Sequence, residues 1–216
     1  MGSKIIELLE GKIIVEEVDS QHNGKLTVVK DVAWGTYIRG GGLPQSGGLA
    51  EKIWRISLGE IKDKTVDTVL IVGLGGGGIA KIIRGMWPKA KIVGVDIDKA
   101  MVDLGKKYLG LDKTNTEIHI EDATKFVANL IAEKQKYDLI CVDTYIGEVF
   151  PEKFLSTAFL KDLKKLLNTD GVVIYNRLYG EEDRDAANSF KKLLEQVFAR
   201  VTPIYPEANI MFVCSK

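Results

Sequence analysis

Val69-Leu70-Ile71-Val72 runs directly into Gly73-Leu74-Gly75-Gly76-Gly77-Gly78, and a helical pattern starts there. A strand that turns into a helix this abruptly needs positive φ angles, which glycine reaches without penalty. The turn also exposes backbone that has no Cβ, so a cofactor can pack directly on it. N–H groups at the helix start favour a carboxylate or phosphate. Gly73, Gly75 and Gly77 are the expected cofactor contacts within the loop. The spacing Gly73-x-Gly75-x-x-Gly78 also satisfies the dinucleotide fingerprint.

From about residue 66 the pattern alternates strand and helix. The strand candidates TVLIV, KIVGVD, EIHIE, YDLICVD and GVVIYN are short, continuous and β-branched, as when both faces of a sheet are covered. Helix candidates fall at about 77–86, 98–109, 123–135, 151–167 and 181–198. This alternation predicts an α/β fold with a doubly wound, Rossmann-like parallel sheet. RVTPIYP and NIMFVCS, joined by a short link, add an antiparallel last strand. Before this, KIIVEEV, KLTVVKD and WGTYIRG read as strands, with Asn23-Gly24 as a hairpin signal. GGGLPQSGG reads as a loop and LAEKIWRISLGEI as a helix. The expected division is a β-hairpin region with its linking helix over 1–60 and a nucleotide-binding domain over 61–216.

Acids stand at successive strand ends. Asp96 closes KIVGVD, 23 residues beyond Gly73, where a carboxylate can accept from both ribose hydroxyls. Ile97 follows it as a second contact, and Asp98 is the expected N-cap of the next helix. After EIHIE, Asp122 can accept from the exocyclic amine of adenine while Ala123 offers a backbone N–H to a ring nitrogen; alternatively Asp122 only caps its helix. Asp143 ends YDLICVD beside the glycine loop, facing the crevice where open α/β sheets bind ligands, and is the catalytic candidate. Tyr145, Asn176 and Tyr179 come from neighbouring strand ends and are candidates for an acceptor pocket.

The bulk composition excludes some classes. Thirty basic and thirty acidic residues cancel, so nothing favours nucleic acid as a partner. Cys141 and Cys214 sit in apolar runs and are expected to be buried, reduced thiols. His22 and His119 are far apart, so no metal is expected. No apolar run approaches the roughly 20 residues that span a bilayer. The opening MGSKIIELLEGK lacks the form of a signal peptide, so the expected compartment is cytoplasmic, with no membrane contact.

VLIVGLGGGG, VGVDIDKAMVDLGKKYL, IEDATKFV and YDLICVDTYIG together resemble the spermidine-synthase-like branch of class I S-adenosylmethionine-dependent transferases. The resemblance covers about 25–180 and includes Gln45-Ser46 ahead of the helix with Glu51 and Trp54. It implies a class I methyltransferase-type sheet, S-adenosylmethionine or its decarboxylated form as cofactor, and homodimers through the N-terminal strands. It also implies Gln45 as a cofactor contact, Asp96 on the ribose, and Asp122 with Ala123 on the adenine. The chain departs from the family at three places. Gly76 stands where the loop carries an aspartate, Ile146 where a second acid follows Asp143, and Trp54 where a tyrosine is usual. The missing acids are those that would hold a polyamine cation, since a buried cation needs a partner. The expected activity is therefore methyl transfer to a small-molecule acceptor. The alternatives are aminopropyl transfer with an altered amine pocket, NAD-dependent oxidoreduction, and a non-catalytic nucleotide-binding module.

Overall fold

The computed structural model describes residues 11–216 apart from Glu148. The chain first builds a four-stranded antiparallel meander, β1 (Lys12–Ser20), β2 (Gly24–Asp31), β3 (Gly35–Gly40) and β4 (Leu43–Gly47). The β1–β2 turn falls at Asn23-Gly24 as the sequence signal predicts, with Gly24 at φ +62°. The fourth strand corrects the sequence reading, which makes this stretch a loop. Pro44 lacks a donor and is tolerated because β4 pairs on one side only, with β3.

Helix α1 (Gly48–Gly59) leads into a seven-stranded sheet. Its strands are β5 (Thr68–Val72), β6 (Lys91–Asp96), β7 (Thr116–Ile120), β8 (Tyr137–Val142), β9 (Leu167–Leu178), β10 (Arg200–Ile204) and β11 (Asn209–Ser215). The spatial order is β10-β11-β9-β8-β5-β6-β7, and only β11 runs against its neighbours. Period-two alternation sends β5 side chains into two separate cores. Val69 and Ile71 pack with Ile53, Trp54 and Leu58 of α1 and with Ile79 and Ile82 of α2 (Gly78–Met86). Val102 of α3 (Lys99–Leu104) joins the same side. Leu70 and Val72 face the opposite layer, formed by α4 (Ala123–Ala132), α5 (Thr157–Leu166) and α6 (Arg184–Val197). Both sheet faces are thus covered, which is why these strands read as continuous apolar runs. Among the described residues, no helix is long and apolar enough to cross a membrane.

Two helices depart from their predicted form. The 98–109 segment is α-helical only to Leu104 and then widens into a π-turn, Gly105–Leu109. There Gly105 is pressed on the glycine loop: a Cβ would lie 2.5 Å from the Cα and carbonyl oxygen of Gly76. The 151–167 segment splits into a short 3-10 turn, Glu152–Leu155, and α5, which Ser156 caps by accepting from the Phe159 N–H at 3.2 Å. Cys141 and Cys214 are buried and unbridged, and burial pushes both thiols up.

The N-terminal sheet is fastened to the larger one. Asp98 accepts from the Ala100 and Met101 N–H groups as the predicted cap of α3. Its other oxygen accepts from Ser20 Oγ at 2.5 Å and Asn23 Nδ2 at 2.6 Å. Leu26, Val28 and Ile38 share one apolar cluster with Met101, Leu104 and Leu109.

Candidate active site

The chain reverses its direction of strand addition at β5, since β6 lies on one side and β8 on the other. Such switch points open a crevice at the C-terminal strand ends. Here the walls almost touch. The Asp143 N–H donates to the Val72 carbonyl at 2.8 Å, and the Gly73 N–H donates to the Val95 carbonyl at 2.9 Å. A Cβ on Gly73 would lie 2.0 Å from the Asp143 carbonyl oxygen. A pocket opens above this junction, and among the described residues four acids and one base line it: Glu51, Asp96, Asp122, Asp143 and Lys153.

Asp143 is held by one side chain on each oxygen. Its Oδ2 accepts from Trp54 Nε1 at 2.6 Å and its Oδ1 from Asn176 Nδ2 at 2.9 Å. Asn176 is itself fixed, because its carbonyl accepts from Asn209 Nδ2 at 2.8 Å. Burial pushes the Asp143 carboxyl up to about 6, and the nearby Asp96 charge adds to this, against the two hydrogen bonds that favour ionisation. Trp54 reaches Asp143 from α1, across 89 positions of sequence.

Asp96 is tied to the loop. Its Oδ2 accepts from the Gly75 N–H at 2.7 Å and its Oδ1 from the Asp98 N–H at 2.8 Å. Burial raises its carboxyl above the usual range. The Gly76 N–H is taken by Ser46 Oγ at 3.1 Å. The protein therefore supplies its own acceptors to two loop amides that a sequence reading leaves open to a ligand.

Asp122 lines the pocket and also caps α4, accepting from the Thr124 and Lys125 N–H groups. Its second oxygen meets Lys153 Nζ at 2.5 Å. Burial acts to raise this carboxyl, but the bonds from Lys153 and Thr124 overcome it and hold the group well below the usual range. The cap and the pocket position hold together, with Lys153 as a partner that no local pattern announces.

The remaining candidates divide. Gln45, Trp54, Gly73, Gly75, Ile97, Ala123 and Tyr145 all line the pocket. Gln45 donates its amide to the Gly147 carbonyl at 2.9 Å, holding the segment after β8. Tyr145 accepts from the Leu178 N–H at 2.7 Å, and burial pushes its hydroxyl up to about 12. Gly77 turns away from the pocket, toward Leu111, and Tyr179 stands outside the lining, packed on Tyr205 at 5.3 Å between centroids. Asn176 acts through Asp143 and is not itself in the lining. The sequence reading gives no role to Ser46, Glu51, Thr144 or Lys153, which line the pocket too. Thr144 is buried and its hydroxyl has no hydrogen-bond partner among the described residues.

The family description "Spermine/spermidine synthase domain" matches residues 51–216. The chain belongs to this family. A polyamine aminopropyltransferase of Vibrio vulnificus is 31% identical over 122 residues, 54% of this chain and 41% of that protein. An eEF1A lysine and N-terminal methyltransferase of Mus musculus is 31% identical over 125 residues, 54% of this chain and 18% of that protein. The chain thus spans less than half the length of either relative. Among solved structures, a spermidine synthase in complex with the transition state analogue AdoDATO aligns over 94% of this chain and 73% of its own. Its TM-score is 0.78 at 16% identity. Human methyltransferase-like protein 13 in complex with SAH aligns over 77% and 79%, with a TM-score of 0.63 at 24% identity. These two likenesses show the α/β fold with its N-terminal strands. The named relatives include both aminopropyltransferases and methyltransferases.

Proposed function

We propose that the chain transfers the methyl group of S-adenosylmethionine to a small nucleophilic acceptor, with Asp143 as general base. The observation that carries this is the partly buried Asp143 carboxylate, held by Trp54 and Asn176 at the rim of the switch-point crevice. The sulfonium already activates the methyl carbon, so the protein mainly orients the two reactants. The acceptor lone pair forms the new bond to carbon. The carbon–sulfur bond breaks with its electrons going to sulfur, leaving a thioether. The acceptor proton passes to Asp143. Asp96 with Ile97 would hold the ribose, and Asp122 with Ala123 the adenine.

Methyl is favoured over aminopropyl because Gly76 and Ile146 put no carboxylate where a polyamine chain would lie. Position 76 has little room for one, since a Cβ would meet Ser46 Oγ and Leu109 Cδ1 at 2.8 Å each. Aminopropyl transfer is the second reading, favoured by the four acids in the lining, which suit a doubly cationic donor. A calorimetric panel tests both readings. S-adenosylmethionine or its thioether products should bind at about micromolar Kd and NAD should not; binding of NAD alone would sink the proposal. Putrescine should be a poor acceptor, and rapid spermidine formation from decarboxylated S-adenosylmethionine would reverse the order of the two readings.

Two further results follow from the geometry. Asp96→Ala should weaken donor binding by about 1.5–3 kcal/mol, as a charge-assisted pair of bonds is lost. Titration of the variant checks this, and unchanged affinity would make Asp96 only a support for the loop. Asp143 must also be ionised to take a proton, and its raised carboxyl is charged only above about 6. Activity should therefore be lost as pH falls through about 6 and level off above it. The limb in kcat/KM reports the free enzyme, and a bound sulfonium should move the limb in kcat lower. Identical limbs, or none between pH 5 and 7, would remove Asp143 from the role.

A further inference from the structure

Glu51 stands one helical turn before Trp54 on α1, so the two side chains share a face, and both line the pocket. Its side chain is about 15% exposed and lies over the first residue of α2. A Cβ on Gly78 would meet Glu51 Cγ at 2.9 Å. The carboxylate is paired with Lys81 Nζ at 3.3 Å and Arg55 at 3.9 Å. Those two side chains are 53% and 61% exposed, so both pairs are hydrated and weak.

The strand order fixes which end of a ligand meets this acid. Asp143, Gly73, Asp96 and Asp122 follow β8, β5, β6 and β7 across the sheet. Adjacent strands lie about 4.8 Å apart, so an adenosine placed on Asp96 and Asp122 leaves its sulfur end toward Gly73 and Asp143. The donor tail beyond sulfur then meets the wall formed by α1 and the start of α2. The glycine loop brings no charged side chain to that wall, and position 76 is filled by Ser46 and Leu109. The only charged group that α1 presents to the pocket is Glu51.

We propose that Glu51 is the residue that recognises the ammonium group of the donor tail. The proposal rests on the S-adenosyl reading of the pocket. It is independent of which group is transferred, because S-adenosylmethionine and its decarboxylated form carry the nitrogen on the same carbon. A carboxylate in a half-closed pocket binds an ammonium through charge-assisted hydrogen bonds. The solvent-facing Lys81 and Arg55 leave room for that third partner.

Calorimetric titration of the whole chain and of Glu51→Gln, with S-adenosylhomocysteine and with methylthioadenosine, tests this. Methylthioadenosine has the same adenosine and sulfur but no amino-bearing tail. The variant should bind S-adenosylhomocysteine about tenfold or more weakly while methylthioadenosine stays within about twofold. Equal loss for both ligands would make Glu51 a structural residue, and no loss for either would remove it from the site; each overturns the proposal. Failure of the unaltered chain to bind methylthioadenosine would instead bring down the S-adenosyl reading, and the Glu51 assignment with it.

Discussion

Asp143→Asn is expected to lower turnover by about 100-fold or more while donor affinity changes by less than about tenfold. The substitution keeps size and shape and removes both the charge and the proton acceptor. It also leaves one amide oxygen to face two donors, Trp54 Nε1 and Asn176 Nδ2. One of these donors then loses its partner, so some loss of stability accompanies the loss of rate. Trp54→Phe separates the two effects. It removes a hydrogen bond that favours the ionised form, so the carboxyl should rise further and the acid limb of kcat/KM should move to higher pH. Substantial turnover should survive at pH 8. Screening acceptors with a radiolabelled methyl donor supplies the substrate for these measurements. Full turnover by Asp143→Asn on that substrate would reduce Asp143 to a structural end of its strand.

Gly73→Ala should be the most damaging single methyl group in the chain. Gly73 sits at φ +86°, where an L side chain is strained, and its Cβ would fall 2.0 Å from the Asp143 carbonyl oxygen. That oxygen belongs to the backbone immediately after β8, which the Asp143 N–H ties to Val72 of β5, and it cannot swing away like a side-chain tip. Strain at positive φ costs about 1–2 kcal/mol, and overpacking adds typically 1–3 kcal/mol. A combined loss of roughly 3 kcal/mol or more corresponds to a fall in Tm on the order of 10 °C for a chain of this size. Relief can come only by parting β5 from β8, which also displaces Asp143. Donor binding and turnover should therefore fail even below the new Tm. Thermal unfolding and titration at 15 °C check both halves, and a near-normal Tm would mean that the junction is looser than its geometry.

Much of the site could be read in the sequence because its parts lie at strand ends. Runs such as LIV before Gly73 and LICV before Asp143 place their last residue at the sheet edge by periodicity alone. The acids at 96, 122 and 143 thus needed no tertiary information to be placed near one another. What escaped was set by contacts between distant segments. Glycine and proline around Pro44 signal a turn, yet pairing with β3 makes Leu43–Gly47 a strand and delivers Gln45 and Ser46 to the pocket. Lys153 meets Asp122 across 31 positions, and nothing local to either residue announces the pair. Tyr179 follows β9 as expected, but the chain turns it onto Tyr205, outside the pocket lining. Glu51 looks like an ordinary exposed helix acid until Gly78 is found beneath it.

The grip of Ser20 and Asn23 on Asp98 has a consequence for how the molecule comes apart. Leu26, Val28 and Ile38 complete their cluster only with Met101, Leu104 and Leu109, so the meander has little core of its own. Small sheets without a private core do not hold together alone. The meander and the π-turn should therefore open as one cooperative unit, visible as a shared hydrogen-exchange free energy across β2 and α3. Asp98 also donates its N–H to Asp96, and Asp96 accepts from the loop at Gly75. The hairpin turn at Ser20–Gly24 is thus two side chains removed from the glycine loop, and a ligand that tightens the loop should slow amide exchange in that turn.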